Sequence, residues 1–264
     1  MNGKNCITCQ AKALVFTIAL NGYNIAYRKN ISSQKGYAAK YGFDYVAVTR
    51  PALSSLFMEC AWLKLILILS ALESGYEWVF FVDSDAEIKK ICPDFRSLDT
   101  AEKYIYMAHG FSGRVNSGVI IVKNNLLSKK FLIDTLNGFD KVIPPEDGCG
   151  WGENGHVNHF SKLIDSLFVI PGLWNNTHYL ELIDYVRHYT GPMREHGSND
   201  LLSKFIGYIS RAIQSRLQKL GVIKYSHEAF PERLISLYES TLHIYGRYFR
   251  PVSADRIFTR RKII

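Results

Sequence analysis

At 264 residues the chain is long enough for one large domain or two modest ones, and its 47% hydrophobic and 21% charged residues are those of a soluble globular protein. The net charge of +8 sits wholly in the last quarter: residues 201–264 hold 12 Lys and Arg against 4 Asp and Glu, while the first 200 residues balance at 20 of each sign. That placement excludes a basic body, and no nucleic-acid motif accompanies the basic tail, so no nucleic-acid partner is expected.

The chain carries no internal repeat and no low-complexity segment. Its first apolar run, Ala13–Leu20, is too short to cross a bilayer and lacks the layout of a signal peptide, so a cytoplasmic location is expected. A trimmed chain of a lumenal enzyme would read the same way. Five cysteines are an odd count spread along the length, which argues against a disulfide framework, and Cys6-x-x-Cys9 stands without a second pair. Asn30-Ile31-Ser32 and Asn175-Asn176-Thr177 match the glycosylation sequon but carry little weight without a secretory signal.

In chain order, Leu14–Leu20 predicts a strand, Asn24–Tyr41 a polar helix closed by Gly42, and Phe43–Thr49 a second strand stopped by Arg50-Pro51. Met58–Leu72 predicts a helix and Trp78–Val82 a strand, apolar throughout and hence buried on both faces. Alternation of strand and helix implies right-handed crossovers and a parallel sheet. Short strands follow near Tyr104–Ala108, Val119–Val122, Leu167–Ile170 and Tyr185–Tyr189, with helices near Leu126–Leu136 and Gly155–Leu163. The expected fold is therefore a single α/β domain over 13–198 with a mixed central sheet, preceded by a lead of 1–12 and followed by a basic extension, 199–264.

The Trp78–Val82 strand ends in Asp83-Ser84-Asp85. Ligands of open α/β sheets bind outside the carboxyl ends of the strands, and two carboxylates this close repel unless a cation lies between them. Hard oxygen ligands suit Mg²⁺ or Mn²⁺. A plain strand-to-turn step is the competing reading, since Asp and Ser favour turns. Lys64 is the sole charge in Leu63–Leu69, a run apolar nearly all round. A buried ammonium needs an anion, and a phosphate beside the Asp pair would serve; a snorkelling side chain is the alternative. Val115-Asn116-Ser117-Gly118-Val119 suits close backbone approach to a polyhydroxylated ligand, and an ordinary turn almost as well. Gly150-Trp151-Gly152-Glu153-Asn154 leads into a helix, and His188-Tyr189-Thr190-Gly191-Pro192-Met193-Arg194 ends a strand with an imidazole, a glycine turn and a guanidinium.

Together these stretches resemble the GT-A glycosyltransferases, in particular the retaining family of glycogenin and the bacterial lipopolysaccharide galactosyl- and glucosyltransferases. The resemblance covers roughly residues 13–195. Asp83-Ser84-Asp85 matches the D-x-D motif, Asn116-Ser117-Gly118 the N-[ST]-G strand, and Glu153-Asn154-Gly155-His156-Val157-Asn158 stands where the family has D-Q-D-x-L-N. His188 to Arg194 is similar to H-Y-x-G-P-x-K, the most specific of the matches. The resemblance implies a Rossmann-like nucleotide-diphospho-sugar transferase fold and Mn²⁺, with Mg²⁺ as the alternative, held by Asp83, Asp85 and His188. It implies a UDP-sugar donor contacted by Thr17, Ala19, Lys64, Ser84, Asn116, Ser117, Gly191 and Arg194, with Glu153 and Asn154 as candidate catalytic residues against the sugar. A divalent cation there would act as the Lewis acid at the leaving diphosphate, aided by Lys64 and Arg194. The implied reaction is hexosyl transfer to a saccharide or lipid-linked glycan, with retention.

The sequence also departs from the family. Arg194 replaces lysine, Glu195 the proline that follows it, and Glu153-Asn154 replaces Asp-Gln. Thr17-Ile18-Ala19-Leu20-Asn21 stands where the family keeps its acidic nucleotide-binding residue.

In the tail, Leu201, Leu202, Phe205, Ile206, Ile209, Ile213, Leu217 and Leu220 follow helical spacing with Lys204 and Arg211 opposite them. Arg247, Arg250, Arg256, Arg260, Arg261 and Lys262 then interleave with Tyr245, Tyr248, Phe249 and Phe258. Such a pattern predicts attachment to an anionic membrane surface, as in related lipopolysaccharide enzymes; a helix packed on the body with a solvated basic end is the alternative. Two other functions compete with sugar transfer. One is a haloacid-dehalogenase-type phosphatase, which also places D-x-D after an apolar strand but has neither Glu87 at its place nor its later motifs matched here. The other is a catalytically silent sugar-nucleotide-binding module.

Overall fold

The computed structural model describes residues 12–52, 57–149, 152–197 and 229–258, with isolated helical positions between 201 and 220. The Cys6/Cys9 pair, Gly150, Trp151, Leu202, Lys204, Ile206, Arg211, Arg260, Arg261 and Lys262 lie outside the described residues.

Among the described residues eight strands form: β1 (Ala13–Ile18), β2 (Asp44–Val48), β3 (Trp78–Val82), β4 (Ala86–Ile88), β5 (Ile105–Ala108), β6 (Val119–Lys123), β7 (Leu167–Ile170) and β8 (Val186–His188). Six build the central sheet in the order β2-β1-β3-β6-β5-β7, and β4 pairs with β8 in a separate ribbon. β2, β1 and β3 are parallel, as right-handed crossovers require, whereas β6 runs antiparallel to both β3 and β5. The sheet is thus mixed, and β3, at its centre, is buried along its whole length with the bounds its apolar run predicts.

Alternate strand residues face opposite helical layers. Leu14, Phe16, Val79 and Phe81 meet α3 (Phe57–Glu73) and α4 (Leu126–Asn137), while Val15, Phe80 and Val82 meet Tyr37 and Ala38 of α2 (Arg28–Tyr41). The predicted Asn24–Tyr41 helix is two pieces: α1 (Tyr23–Ala26) precedes α2, with the break at Tyr27. Gly42 then ends α2 in the left-handed region at φ 70°, where glycine alone carries no steric penalty. α5 (Asn154–Ser161) follows the glycine-rich acidic loop.

Residues 229–258 form α6 (Phe230–Tyr245) and α7 (Ala254–Ile257), whose buried side chains join the core of the body. Leu234, Leu237, Tyr238 and Phe249 are buried, with the Phe249 ring edge-on to Phe16 at 5.6 Å. The Tyr238 hydroxyl donates to the Arg250 carbonyl at 3.0 Å and accepts from the Val252 amide at 3.0 Å. Arg233 pairs with the buried Glu59 of α3 at 2.6 Å. Of the aromatic residues in this stretch, Phe249 is buried in the core, and Tyr245, Tyr248 and Phe258 pack half-buried against it. By contrast Leu201, Phe205, Tyr208, Ile209, Ile213 and Leu220 are exposed. Among the described residues no helix is long and apolar enough to cross a membrane.

Candidate active site

The parallel strands β1 and β3 end on the same edge of the sheet, and the antiparallel β6 begins there. A cleft of about 810 Å³ opens at that edge, lined among others by Ile18, Lys64, Asp83, Asp85, Asn116, Glu153, His188 and Arg194. Four of the loops that border it, around Asp83, Asn116, Glu153 and His188, were singled out by sequence alone.

Asp83 leaves β3 with its amide bonded to the Gly118 carbonyl at 2.7 Å, and the chain turns so that the Ala86 amide meets the Asp83 carbonyl at 3.0 Å. Gln34 of α2, fully buried, donates its amide hydrogens to the Asp83 and Ala86 carbonyls at 3.0 and 2.9 Å, pinning this turn from below. The β4–β8 ribbon then sets His188 opposite Ala86. His188 Nε2 lies 3.2 Å from Asp85 Oδ1 and 3.7 Å from Asp83 Oδ2. One ligand atom from each of Asp83, Asp85 and His188 falls within 4.8 Å of the others. Burial would lower the basicity of His188, but Asp85 and then Asp83 outweigh it and hold the imidazole above its usual value. Burial raises Asp83, with Asp85 adding to the effect, whereas His188 overcomes burial at Asp85 and keeps that carboxyl low.

Two carboxylates and an imidazole converging in this way fit a divalent cation that accepts oxygen and nitrogen ligands. Gly118 supports the fit: a Cβ there would fall 2.1 Å from His188 Cε1 and 2.8 Å from Asp83 Oδ2, so only glycine lets the imidazole close on the aspartates. Mn²⁺ accepts this donor set more readily than Mg²⁺, which prefers oxygen alone.

Lys64 does not snorkel. It is 5% exposed, with its Nζ 2.9 Å from Glu153 Oε1, 3.3 Å from Asp83 Oδ1 and 3.3 Å from the Ser117 carbonyl. The anion its burial demanded is therefore supplied by the protein: burial would depress the ammonium, and Asp83 and Glu153 more than offset it, raising its pKa. Glu153 also accepts from the Ser117 hydroxyl at 2.6 Å. Asn154 accepts from the Ser117 amide at 2.7 Å and donates to the Val115 carbonyl at 3.3 Å. Both candidate catalytic side chains border the cleft and brace the Val115–Ser117 segment.

Ser84, Asn116, Ser117, Gly191 and Arg194 also line the cleft. Gly191 has φ 50° and packs so closely on Phe111 that a Cβ would sit 2.7 Å from its ring. Arg194 is exposed on the rim and close enough to help lower Asp85. Thr17 and Ala19 are not brought to the cleft: both are fully buried, and the Thr17 hydroxyl has no hydrogen-bond partner among the described residues. Their neighbours Ile18, Leu20 and Asn21 line the cleft instead, the last in the left-handed region at φ 56°, which asparagine tolerates. Sequence reasoning also missed Gln34, Tyr23 and Asn175. Asn175 stood in plain view inside a sequon, but its side chain, like that of Asn30, is buried and unavailable for glycosylation.

No protein-family model matches the chain, and no curated protein matches it in sequence. Solved structures do. A glycosyltransferase involved in the glycosylation of the major capsid of PBCV-1 superposes with a TM-score of 0.53 at 13% identity, covering 70% of this chain and 98% of that one. The apo-form glycosyltransferase GlyE of Streptococcus pneumoniae TIGR4 gives 0.47 at 14% identity, over 83% of this chain and 66% of that one. The galactosyltransferase LgtC, in complex with donor and acceptor sugar analogs, gives 0.42 at 11% identity, over 74% and 95%. At such identities the likeness is one of fold: the chain has the mixed α/β architecture of the GT-A glycosyltransferases.

Proposed function

We propose that this protein is a metal-dependent glycosyltransferase that moves a hexose from a UDP-sugar to a saccharide or lipid-linked glycan acceptor with retention. The observation that carries the reading is the convergence of Asp83, Asp85 and His188 at the carboxyl edge of a GT-A-type sheet, in a cleft large enough for a sugar nucleotide. Asp83, Asp85 and His188 would hold Mn²⁺, which when bound neutralises charge on the leaving diphosphate. Arg194, on the rim, presents a guanidinium fork to the same oxygens. Lys64 holds the Asp83 and Glu153 carboxylates in place by ion pairs and adds positive charge behind the diphosphate. Asn116 and Ser117 face the sugar end of the cleft, and Glu153 places a carboxylate where an oxocarbenium-like centre would develop. The departing phosphate serves as the base toward the acceptor hydroxyl.

Neither competing activity gains a supporting observation: the fold likeness favours no phosphatase, and the assembled cluster gives a silent module no preference. The test is hydrolysis of a UDP-sugar panel with Mn²⁺ and with EDTA. UDP release in Mn²⁺ alone, lost in Asp83→Asn, supports the reading; phosphate release from a monoester, or turnover indifferent to metal and to Asp83→Asn, removes it. NMR of the first-formed product reports retention or inversion.

The exposed apolar positions Leu201, Phe205, Ile209 and Ile213, in a segment rich in Lys and Arg, support peripheral attachment to the anionic inner face of a membrane. Since 229–258 belong to the core, the test is Phe205→Glu with Ile209→Glu rather than a deletion. Loss of sedimentation with anionic vesicles supports attachment, and unchanged sedimentation removes it.

A further inference from the structure

Asn175 is 1% exposed and touches both halves of the proposed site. Its amide nitrogen faces two oxygens of one residue, the Asn116 carbonyl at 3.2 Å and Asn116 Oδ1 at 2.9 Å. Only an NH₂ group can donate to two acceptors, so the orientation of the amide is fixed. Its Oδ1 must then be the atom 3.0 Å from His188 Nδ1, which makes that ring nitrogen the donor. Nε2 is thereby the nitrogen presented to Asp85 and Asp83.

We infer that Asn175 is a positioning residue that couples the metal site to the sugar end of the cleft. Through Oδ1 it fixes the rotation and tautomer of His188, so that Nε2 meets a divalent cation. Through Nδ2 it holds Asn116, whose own Oδ1 accepts from the Gly118 amide at 3.0 Å. Gly118 is the residue whose missing side chain admits His188, so the chain of contacts closes on itself. The ribbon around it is rigid: the Asn176 amide bonds to the Val186 carbonyl at 2.9 Å, the His188 amide to the Asn176 carbonyl at 2.9 Å, and Asn176 Nδ2 to Asp184 at 2.7 Å. The Thr177 hydroxyl accepts from the Phe111 amide at 2.8 Å, tying the same segment to the cleft rim. The triplet that reads as a sequon is a bracket under the site.

This inference rests on the proposed metal-dependent transfer, and two variants separate its parts. Asn175→Ala removes both contacts; outer partners of a metal-bound histidine typically contribute about 10–100-fold in metal affinity. Asn175→Asp is isosteric, keeps an acceptor toward His188 Nδ1, and replaces the donors to Asn116 with repelling oxygen. The measurement is titration with Mn²⁺ alone, followed by the electron paramagnetic resonance of the free aqua ion, with thermal unfolding as the folding control. The expected result is a Kd for Mn²⁺ raised about 10–100-fold in Asn175→Ala and retained in Asn175→Asp. In Asn175→Asp the KM for UDP-glucose rises while the affinity for UDP holds. Equal Mn²⁺ affinity in wild type and Asn175→Ala overturns the inference and leaves the metal site standing; no Mn²⁺ binding by wild type overturns the site itself. Should Asn175→Ala fail to fold, Asn175→Asp decides alone, because loss of Mn²⁺ affinity there, or an unchanged KM, contradicts the division of labour.

Discussion

Replacing Lys64 with Met keeps most of the side-chain volume and deletes the charge. Among the described residues Glu153, 3% exposed, would keep only the Ser117 hydroxyl as side-chain partner, and Asp83 would lose the ammonium 3.3 Å away. Removing one member of a buried pair leaves an uncompensated charge and costs about 3–5 kcal/mol. At about 2–4 °C per kcal/mol for a domain of this size, the melting temperature should fall by roughly 6–20 °C. The double variant Lys64→Met/Glu153→Gln removes the stranded charge as well, so it should regain more than half of the loss. Urea unfolding of the four members of this cycle, followed by tryptophan fluorescence, gives the coupling directly. A Lys64→Met protein within about 1 kcal/mol of wild type, or losses that simply add, would refute the claim that Lys64 and Glu153 form one buried unit.

Gly118→Ala should weaken Mn²⁺ binding by roughly 5–150-fold, since the new Cβ would fall 2.1 Å from His188 Cε1 and overpacking of about 1–3 kcal/mol would fall on the metal-binding geometry; isothermal titration with Mn²⁺ checks it. Phe249→Ala should cost about 3–5 kcal/mol in urea unfolding if 229–258 belong to the core, and near zero if they are an appendage. Lys162, and less strongly His159, hold the Asp147 carboxyl below its usual value, the net result despite opposing burial. A depressed folded-state value stabilises the fold above the unfolded carboxylate pKa of about 4, and that contribution fades as pH falls through the folded value. Lys162→Met should therefore lower the urea midpoint at pH 7, and the difference from wild type should narrow progressively as pH falls below about 4; a difference that grows in acid contradicts the assignment.

Much of this architecture was legible in the sequence because it depends on local pattern. Trp78–Val82 is apolar at every position, so it could only be a strand covered on both faces, and the carboxylates that follow had to emerge at the sheet edge. The cluster itself joins residues about a hundred positions apart, and motif resemblance rather than periodicity brought His188 to Asp83 and Asp85. Other features were hidden for physical reasons. Thr17 and Ile18 are strand neighbours, and the pleat, not residue type, decides which of them meets the cleft; beyond Ile18 the strand has ended, and the turn brings Leu20 and Asn21 to it rather than Ala19. The burial of Lys64 demanded an anion, but no local rule chooses a carboxylate ninety residues away over a ligand phosphate. The charge of the C-terminal quarter masked α6, whose buried Leu234, Leu237, Tyr238 and Thr241 follow helical spacing against α3. Arg233 there is spent on Glu59, a pairing visible only once the chain is folded. Asn175 carries no signal beyond a sequon, and its meaning comes entirely from its neighbours.

The proposed function stands on Asp83, Asp85 and His188 forming one site for a divalent cation at the mouth of the cleft. Crystals soaked in Mn²⁺ and UDP, with diffraction recorded at the manganese absorption edge, provide the decisive test. The expected result is an anomalous peak bounded by Asp83, Asp85 and His188 Nε2, beside the diphosphate of the bound UDP. A peak elsewhere, or none in a crystal that holds UDP in the cleft, would contradict it.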